Sequence, residues 1–126
     1  MSKARRVLLI DDNLDAAESL AQLLALSGHD ARTASDGLHG IRLAQDFQPE
    51  VVFCDLGLPG MSGYEVARAI RRHEGLRQVV LIALTGWGAQ SDQAQSHEAG
   101  FDQHLTKPVS LEALEQALAA AARALS

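Results

Sequence analysis

Three short apolar segments stand out along the chain, at residues 7–10, 51–54 and 79–84. They are rich in branched side chains and do not alternate with polar residues. This pattern is typical of strands whose two faces are both buried, as in a parallel sheet. Residues 29–34 and 101–106 mix polar and apolar side chains, so they are predicted as two further strands with a weaker signal.

Helical periodicity fills the segments between the predicted strands. The first helix has a natural stop at Gly28 and carries apolar residues at steps of three and four, namely Leu14, Ala17, Leu20, Ala21 and Leu24. Four more helices are predicted: one marked by Leu38, Ile41 and Ala44, one that opens with Ser62 and Glu65 as a capping box, a polar one over residues 91–99, and one that starts near Ser110.

The strand–helix alternation, repeated five times, predicts an α/β fold with helices on both faces of a parallel sheet. The flavodoxin-like strand order 2-1-3-4-5 places the second and fifth strands at the edges. Those are the two strands with polar residues here, so we expect a three-layer (βα)5 sandwich with that order. No repeat or linker is visible, and residues 1–126 are expected to form one domain.

Composition narrows the class of protein. The chain has 126 residues, of which 47% are hydrophobic but only 4% aromatic, so the core must be aliphatic. The net charge of −5 argues against general nucleic-acid binding. No apolar run approaches the roughly 20 residues of a membrane helix, and no signal peptide is visible. The single cysteine, Cys54, excludes an internal disulfide, and a cytoplasmic location is expected.

Polar side chains follow four of the predicted strands. Asp11 and Asp12 come after the first strand, Asp55 after the third, Thr85 after the fourth and Lys107 after the fifth. The carboxyl ends of parallel strands meet at one edge, where ligands bind in such folds. Each residue alone has an ordinary interpretation as a helix cap, a turn residue or a surface lysine. Three carboxylates at one edge, however, repel one another unless a cation or ligand offsets their charge.

The residue types indicate which cation that would be. Hard carboxylate oxygens suit Mg²⁺ or Ca²⁺, and nothing resembles a calcium loop. Mg²⁺ takes one or two carboxylates and commonly meets a phosphate oxygen, which Thr85 and Lys107 could also contact. A carboxylate in such a site can itself be the nucleophile that forms an aspartyl phosphate, and Asp55, on the middle strand, is the best placed.

These residues resemble the receiver domain of two-component response regulators, and the resemblance covers essentially the whole chain. It rests on four motifs in family order: Leu-Leu-Ile-Asp-Asp-Asn (8–13), Val-Phe-Cys-Asp-Leu-Gly-Leu-Pro-Gly-Met-Ser-Gly (52–63), Ile-Ala-Leu-Thr-Gly (82–86) and Leu-Thr-Lys-Pro-Val (105–109). The segments around Thr85 and Lys107 most resemble receivers attached to hybrid histidine kinases. Whether the chain stands alone or belongs to a longer protein is left open.

The resemblance implies specific roles. Asp55 would accept a phosphoryl group from a phosphohistidine on a histidine kinase or a histidine phosphotransfer protein. The implied Mg²⁺ ligands are Asp12, Asp55 and the Gly57 carbonyl, with Asp11 acting mainly through water. Thr85 and Lys107 would contact the phosphoryl oxygens, and the bond before Pro108 would be cis.

The resemblance also implies an output. Phosphorylation would move Thr85 and repack the face formed by the fourth helix, fifth strand and fifth helix, where a downstream effector or a second copy could bind. The domain would be a signalling module rather than an enzyme, although it catalyses its own phosphotransfer. No contact of this domain with nucleic acid or membrane is expected.

Three positions depart from the family pattern. His104 occupies the place of the switch aromatic, and it is either an exposed edge-strand histidine or a switch residue sensitive to pH. Gly57 and Trp87 lie two residues after Asp55 and Thr85, at positions that modulate phosphoryl lifetime in the family. A glycine has no side chain to orient water, and Trp87 either shields the site or covers the surface. Cys54 is interpreted as a small buried hydrophobe.

Two other functions use similar residues. A phosphatase of the haloacid dehalogenase type also has a strand-end Asp and Mg²⁺, but it carries a second Asp where this chain has Gly57. A flavodoxin-like cofactor-binding module would have a phosphate loop rich in Ser, Thr and Gly after the first strand, where this chain has Asp11-Asp12-Asn13.

Overall fold

The computed structural model describes residues 4–86 and 93–125. Its five strands are β1 (Arg6–Ile10), β2 (Asp30–Ala34), β3 (Val51–Asp55), β4 (Val80–Thr85) and β5 (Gln103–Thr106). Its helices are α1 (Leu14–Leu26), α2 (Gly37–Phe47), α3 (Gly63–Arg72), α4 (Gln93–Ala99) and α5 (Leu111–Leu125), with a 3₁₀ turn at Glu74–Leu76.

All five strands are parallel and form one sheet in the order β2-β1-β3-β4-β5. The predicted α/β class and strand order are therefore confirmed. The three apolar segments are the three inner strands, and every residue of β3 and β4 is buried. The polar segments are the edge strands, which are only partly covered.

Two hydrophobic layers cover the sheet, one on each face. Successive strand residues point to opposite faces, so Leu8 and Ile10 pack on one side while Val7 and Leu9 pack on the other. The first layer is completed by residues of α2, α3 and α4, and the second by residues of α1 and α5. The core is largely aliphatic, as the composition predicts.

Short polar side chains fix where four helices begin. The Asn13 side chain accepts a hydrogen bond from the Ala16 backbone N–H at 3.1 Å, and Asp36 accepts one from His39 at 2.8 Å. Ser62 and Ser110 do the same for α3 and α5, at 3.3 and 3.1 Å. Each cap satisfies a backbone donor that has no partner within its helix. The predicted starts at Ser62 and Ser110 are confirmed.

The buried stripe of α2 differs from the one that its apolar residues suggest. Gly37, Gly40, Ala44 and Phe47 face the core, whereas Leu38 is 58% exposed. Glycines lie on the inner side because the helix runs very close to β1. A methyl group at Gly40 would lie 2.6 Å from Ile10 Cδ1. The helix is present as predicted, but Leu38 lies outside its packed face.

Among the described residues, no helix combines the length and the apolar character that crossing a bilayer requires.

Candidate functional site

The carboxylates of Asp11 and Asp55 meet at the carboxyl edge of the sheet. Asp55 is the last residue of β3, and Asp11 follows the last residue of β1. These two strands are paired neighbours, with Ile10 opposite Cys54, so the next residue on each strand reaches the same point. Oxygen atoms of Asp11, Asp12 and Asp55 all lie within 4.8 Å of one another. Asp12 is exposed at the mouth of this cluster.

Lys107 bridges the two buried carboxylates. Its ammonium nitrogen lies 2.8 Å from Asp11 Oδ2 and 3.0 Å from Asp55 Oδ2. The lysine follows β5, whose neighbour is β4, and its backbone N–H donates to the Thr85 carbonyl at 2.7 Å. The Lys107–Pro108 peptide bond is cis. The described structure therefore brings together the strand-end residues that the sequence pattern groups.

The electrostatics of the two aspartates differ. Burial opposes ionisation of Asp55, but hydrogen bonds from the Gly57 N–H and from Lys107 outweigh it and lower the Asp55 pKa. Burial dominates at Asp11 and raises its pKa, against the bonds from Lys107 and Asn13. Although burial works against its charge, the two carboxylates raise the pKa of Lys107. Asp55 is therefore held as a carboxylate, and Lys107 as an ammonium.

The backbone around Asp55 is tightly packed. The Gly57 N–H donates to Asp55 Oδ1 at 2.9 Å, which fixes the orientation of the carboxylate. Behind it, a methyl group at Gly63 would lie 2.5 Å from the Asp55 carbonyl oxygen and 2.7 Å from Leu56 Cα. The start of α3 thus supports the Asp55 main chain, and no side chain fits between them.

Thr85 lies at the end of β4, where its side chain is buried. Its hydroxyl donates to the Leu105 carbonyl at 3.4 Å, which is a long hydrogen bond. The hydroxyl is therefore directed toward β5 and held only weakly there.

The three departures from the family pattern have different positions. Gly57 is exposed, and a methyl group there would meet only Asp55 Oδ1, at 3.6 Å. His104 is partly buried, burial lowers its pKa, and its Nε2 has no hydrogen-bond partner among the described residues. Trp87 lies outside the described residues. Cys54 is buried, and burial raises the pKa of its thiol, as expected of an unreactive core cysteine.

A cavity of about 500 Å³ adjoins the carboxylates between α1 and the chain that follows β5. Asp11 and Lys107 form its polar end, and Leu20 and Val109 belong to its apolar wall. The periodicity of α1 marks Leu20 as a core residue, and no sequence signal identified it as a neighbour of the site. That position depends on how α1 and α5 pack against each other.

Fold and site together define the class: a flavodoxin-like α/β module with an acidic cluster, a bridging lysine and a hydroxyl at one sheet edge. The chain belongs to the response regulator receiver domain family, whose profile it matches over residues 7–119. Receivers are signalling modules of two-component systems. The match does not support the phosphatase and flavodoxin-like alternatives.

Two relatives share this region within longer chains. The DNA-binding dual master transcriptional regulator RpaA of Synechocystis is 35% identical over 107 residues, 85% of this chain and 44% of RpaA. The transcriptional regulatory protein KdpE of Mycobacterium tuberculosis is 37% identical over 117 residues, 93% of this chain and 50% of KdpE. This chain thus spans about half the length of these relatives.

A solved structure matches nearly the whole chain. The receiver domain of the sensor histidine kinase PA1611 from Pseudomonas aeruginosa superposes with a TM-score of 0.81 at 29% identity. The alignment covers 92% of this chain and 95% of that domain. That receiver was crystallised with a magnesium ion coordinated in its active site cleft.

Proposed function

We propose that Asp55 is the phosphoacceptor of this receiver and takes a phosphoryl group from a phosphohistidine in a Mg²⁺-dependent reaction. The observation that carries the proposal is the Lys107 ammonium between Asp11 and Asp55, at 2.8 and 3.0 Å. Asp55 is the carboxylate that combines a middle strand, a lowered pKa and two hydrogen-bond donors. It is therefore ionised and oriented at neutral pH, as a nucleophile must be.

The residues present fit a magnesium ion. Their donors are hard carboxylate oxygens, and those of Asp11, Asp12 and Asp55 lie within 4.8 Å of one another. Asp12 and Asp55 would hold the ion directly, with the Gly57 carbonyl as a further ligand and Asp11 mainly through water. When bound, the ion would offset the repulsion between the phosphoryl group and the carboxylate. The PA1611 receiver supports this assignment by analogy.

The phosphotransfer to Asp55 forms one bond and breaks one bond. An Asp55 carboxylate oxygen attacks phosphorus, forming a P–O bond as the P–N bond to the donor imidazole breaks. The ring nitrogen keeps the electron pair of the P–N bond, and with a proton on the other ring nitrogen the imidazole leaves as the neutral histidine side chain. Lys107 is bonded to Asp55 Oδ2 and the Gly57 N–H to Asp55 Oδ1, so the attacking oxygen would have to give up one of these two donors. After the transfer, the Lys107 ammonium would donate a hydrogen bond to a negatively charged phosphoryl oxygen.

Thr85 is the residue that would respond to phosphorylation by bonding to the phosphoryl group. Among the described residues its hydroxyl bonds to the Leu105 carbonyl at 3.4 Å, a long distance, so a phosphoryl oxygen would compete effectively for it. Its movement would repack the face of α4, β5 and α5. His104 lies on that face, and its Nε2, which has no hydrogen-bond partner in the described part of the chain, supports a role as the polar counterpart of the usual switch aromatic.

The phosphoryl lifetime would depend on Gly57 and Trp87. Gly57 leaves open space beside Asp55 Oδ1, which gives water access to the phosphoryl group. If Trp87 shields the site, Trp87→Ala accelerates loss of the phosphoryl group, and an unchanged decay rate rejects the shielding role. The decay is measured by following intact mass after removal of the phosphodonor.

The donor would be a histidine kinase or a histidine phosphotransfer protein, and the output would be an effector or a second copy on the α4-β5-α5 face. RpaA is named a DNA-binding regulator, but this chain matches only 44% of it. The absence of nucleic-acid contact by this domain therefore stays a prediction.

The decisive experiment compares wild type, Asp55→Asn and Asp46→Asn after incubation with a small phosphodonor and Mg²⁺. Asp46 is an exposed aspartate of α2, so Asp46→Asn controls for loss of a carboxylate away from the site. We expect wild type and Asp46→Asn to gain the mass of one phosphoryl group and Asp55→Asn to gain none. Equal phosphorylation of all three proteins, or of none, contradicts the proposal. Phosphorylation of wild type at the same rate without a divalent cation also contradicts it.

A further inference from the structure

Arg71 joins three segments of the chain at the amino edge of the sheet. It lies in the last turn of α3, and all five of its side-chain N–H groups have acceptors. Two of them bond to the Gly100 carbonyl at 3.0 and 2.7 Å, and one bonds to the Asp102 carboxylate at 2.9 Å. The other two bond to the carbonyls of Val79 and Arg77, just before β4, at 2.6 and 3.0 Å. Together these five bonds form what we call the Arg71 clamp.

The Arg71 clamp ties the amino ends of β4 and β5 to each other. The Asp102 carboxylate that pairs with Arg71 also accepts the Leu81 backbone N–H at 2.9 Å, and the Asp102 N–H donates to the Leu81 carbonyl at 2.7 Å. Gly100 packs so closely on Arg71 that a methyl group there would lie 2.7 Å from Arg71 Cγ. Because α4 ends at Ala99, the next residue, the clamp also holds the end of that helix.

β5 depends on the clamp because it is a short edge strand. It is four residues long, partly covered, and paired with β4 on one side. The contacts at its carboxyl end lead to the carboxylate cluster instead. The Thr85 hydroxyl bonds to the Leu105 carbonyl at 3.4 Å, and Lys107, which pairs with Asp11 and Asp55, donates its backbone N–H to the Thr85 carbonyl.

The two ends of β5 are therefore tied to different parts of the molecule. At about 3.3 Å per residue, the four steps along β4 from Leu81 to Thr85 span about 13 Å. The proposed phosphorylation changes the contacts of Thr85 and Lys107 directly, whereas the Arg71 clamp lies too far away to touch the phosphoryl group. One end of β5 thus lies at the site of the change, and the other is held to α3.

We propose that Arg71 is a positioning residue for the conformational response: it fixes the amino end of β5, so that phosphorylation turns the strand about Asp102 instead of displacing it as a unit. The inference rests on the proposed function, because the response of Thr85 is the event that moves β5. With the amino end held, the displacement is largest near Leu105 and Thr106 and decreases toward Asp102. Arg71 thereby directs the change to the carboxyl half of β5.

The test follows the backbone amide shifts of ¹⁵N-labelled protein in Mg²⁺, before and after addition of excess small phosphodonor. In wild type we expect the donor to shift Leu105 and Thr106 and to leave Gly100 and Asp102 nearly unchanged. Arg71→Met keeps an apolar stem beside Gly100 but removes all five donors. In this variant the donor-induced shift at Asp102 should grow several-fold, because β5 then moves as a unit.

Control variants separate this role from a loss of charge or of stability. Arg72→Met removes the neighbouring exposed arginine of α3 and should respond as wild type does. Glu50→Gln removes another arginine–carboxylate pair at the amino edge, the one with Arg5, and should lower the stability without spreading the response to Asp102. A purely structural role of Arg71 would not change the donor-induced shift at Asp102. Arg71→Lys keeps the charge but not the planar fork, so its response should be intermediate, and it replaces Arg71→Met if that variant does not fold.

A second comparison needs no phosphoryl group. Thr85→Val removes the hydroxyl that bonds to Leu105 and so perturbs the carboxyl end of β5 directly. The shifts that it causes should stop before Asp102 when Arg71 is present and reach Asp102 when Arg71 is replaced. If this pattern is found while the phosphodonor shifts no amide of wild type, the role of Arg71 is supported and the phosphorylation of Asp55 is contradicted.

Three outcomes overturn the proposal. A shift at Asp102 in wild type as large as the one at Leu105 shows that the amino end of β5 is not fixed. An unchanged response after replacement of Arg71 shows that another group fixes it. Equal spreading of the response in Glu50→Gln shows that a loss of stability alone is the cause.

Discussion

Lys107→Met isolates the electrostatic balance of the site. Methionine keeps most of the length of the side chain but removes the ammonium that lies 2.8 Å from Asp11 and 3.0 Å from Asp55. The variant therefore leaves two buried carboxylates without their shared cation. Breaking a fully buried pair costs about 3–5 kcal/mol, and the Lys107 side chain is 29% exposed. We expect a loss of about 2–3 kcal/mol in the free energy of unfolding without Mg²⁺, after discounting for solvent.

The same change should strengthen Mg²⁺ binding. Unit charges 4 Å apart interact by about 1 kcal/mol in water and by about 4 kcal/mol at an effective dielectric constant near 20. The ammonium repels a dication and also pairs with Asp55, a proposed direct ligand, and with Asp11, which would act mainly through water. Removing it should therefore tighten Mg²⁺ binding by about tenfold, or 1.4 kcal/mol. Stabilisation by a ligand is RT ln(1 + [Mg²⁺]/Kd). Saturating Mg²⁺ should therefore narrow the gap between wild type and variant.

Urea unfolding with and without Mg²⁺ measures both effects. Arg72→Met removes one positive charge from the exposed surface of α3 and should leave the response to Mg²⁺ unchanged. If Mg²⁺ stabilises Lys107→Met no more than it stabilises wild type, the lysine and the ion do not share these carboxylates, and the assignment of the metal site is wrong.

Three further predictions concern other parts of the chain. Glu50→Gln removes the 2.7 Å ion pair with Arg5 and should lower the free energy of unfolding by about 1–2 kcal/mol at pH 7. Burial opposes the charge of Glu50, but hydrogen bonds and charges from Arg5 outweigh it and lower the Glu50 pKa. The stabilisation is therefore present above the unfolded pKa near 4.5 and is lost as pH falls through the lower folded pKa, which urea unfolding at several pH values measures. Gly63→Ala places a methyl group 2.5 Å from the Asp55 carbonyl oxygen, so we expect slower phosphorylation by the small donor and about 2 kcal/mol lower stability. His104→Phe should remove a pH dependence of the phosphorylation-induced change at the α4-β5-α5 face, because partial burial lowers the His104 pKa and acid would place a charge on this partly buried imidazole.

The controls for these predictions use nearby positions. Gly75→Ala meets only side-chain atoms, at 3.4 Å or more, so it should preserve both phosphorylation and stability. If it matches Gly63→Ala in effect, close packing behind Asp55 is not the cause. Persistence of the Glu50→Gln deficit well below pH 4 would show that the ion pair is not its origin. An unchanged phosphorylation response and pH profile in His104→Phe would remove His104 from the switch.

The sequence predicted the sheet well because burial on both faces leaves a continuous apolar pattern. The three inner strands were found within one residue at each end, and the edge strands were found by their mixed composition. The site followed from one rule, since parallel strands bring the residues after their carboxyl ends to one edge. Asp11 and Lys107 are 96 positions apart in the sequence, yet the sheet topology alone brings both of them to Asp55.

Contacts that depend on side-chain packing could not be predicted in this way. Arg71 donates to the carbonyl oxygens of Gly100 and Val79 and to Asp102 at 2.6 to 2.9 Å, which ties α3 to the chain on both sides of β4. Nothing in the spacing of these residues marks them as partners. The exposure of Leu38 could not be predicted from the pattern of apolar residues either. The face that α2 buries is made partly of glycines, which carry no hydrophobic signal.

The charges of the proposed site account for why phosphorylation should change its shape. Three carboxylates and one ammonium leave a net charge of −2, which one Mg²⁺ neutralises. Converting the Asp55 carboxylate to an aspartyl phosphate replaces one negative charge by nearly two. Among the described residues, Lys107 is the cation that pairs with the cluster, so the added charge would attract polar groups that can turn toward it. The Thr85 hydroxyl is such a dipole, because its hydrogen bond within the described residues is a long one, 3.4 Å to the Leu105 carbonyl. Loss of that bond would free Leu105, and this is how the change would reach β5.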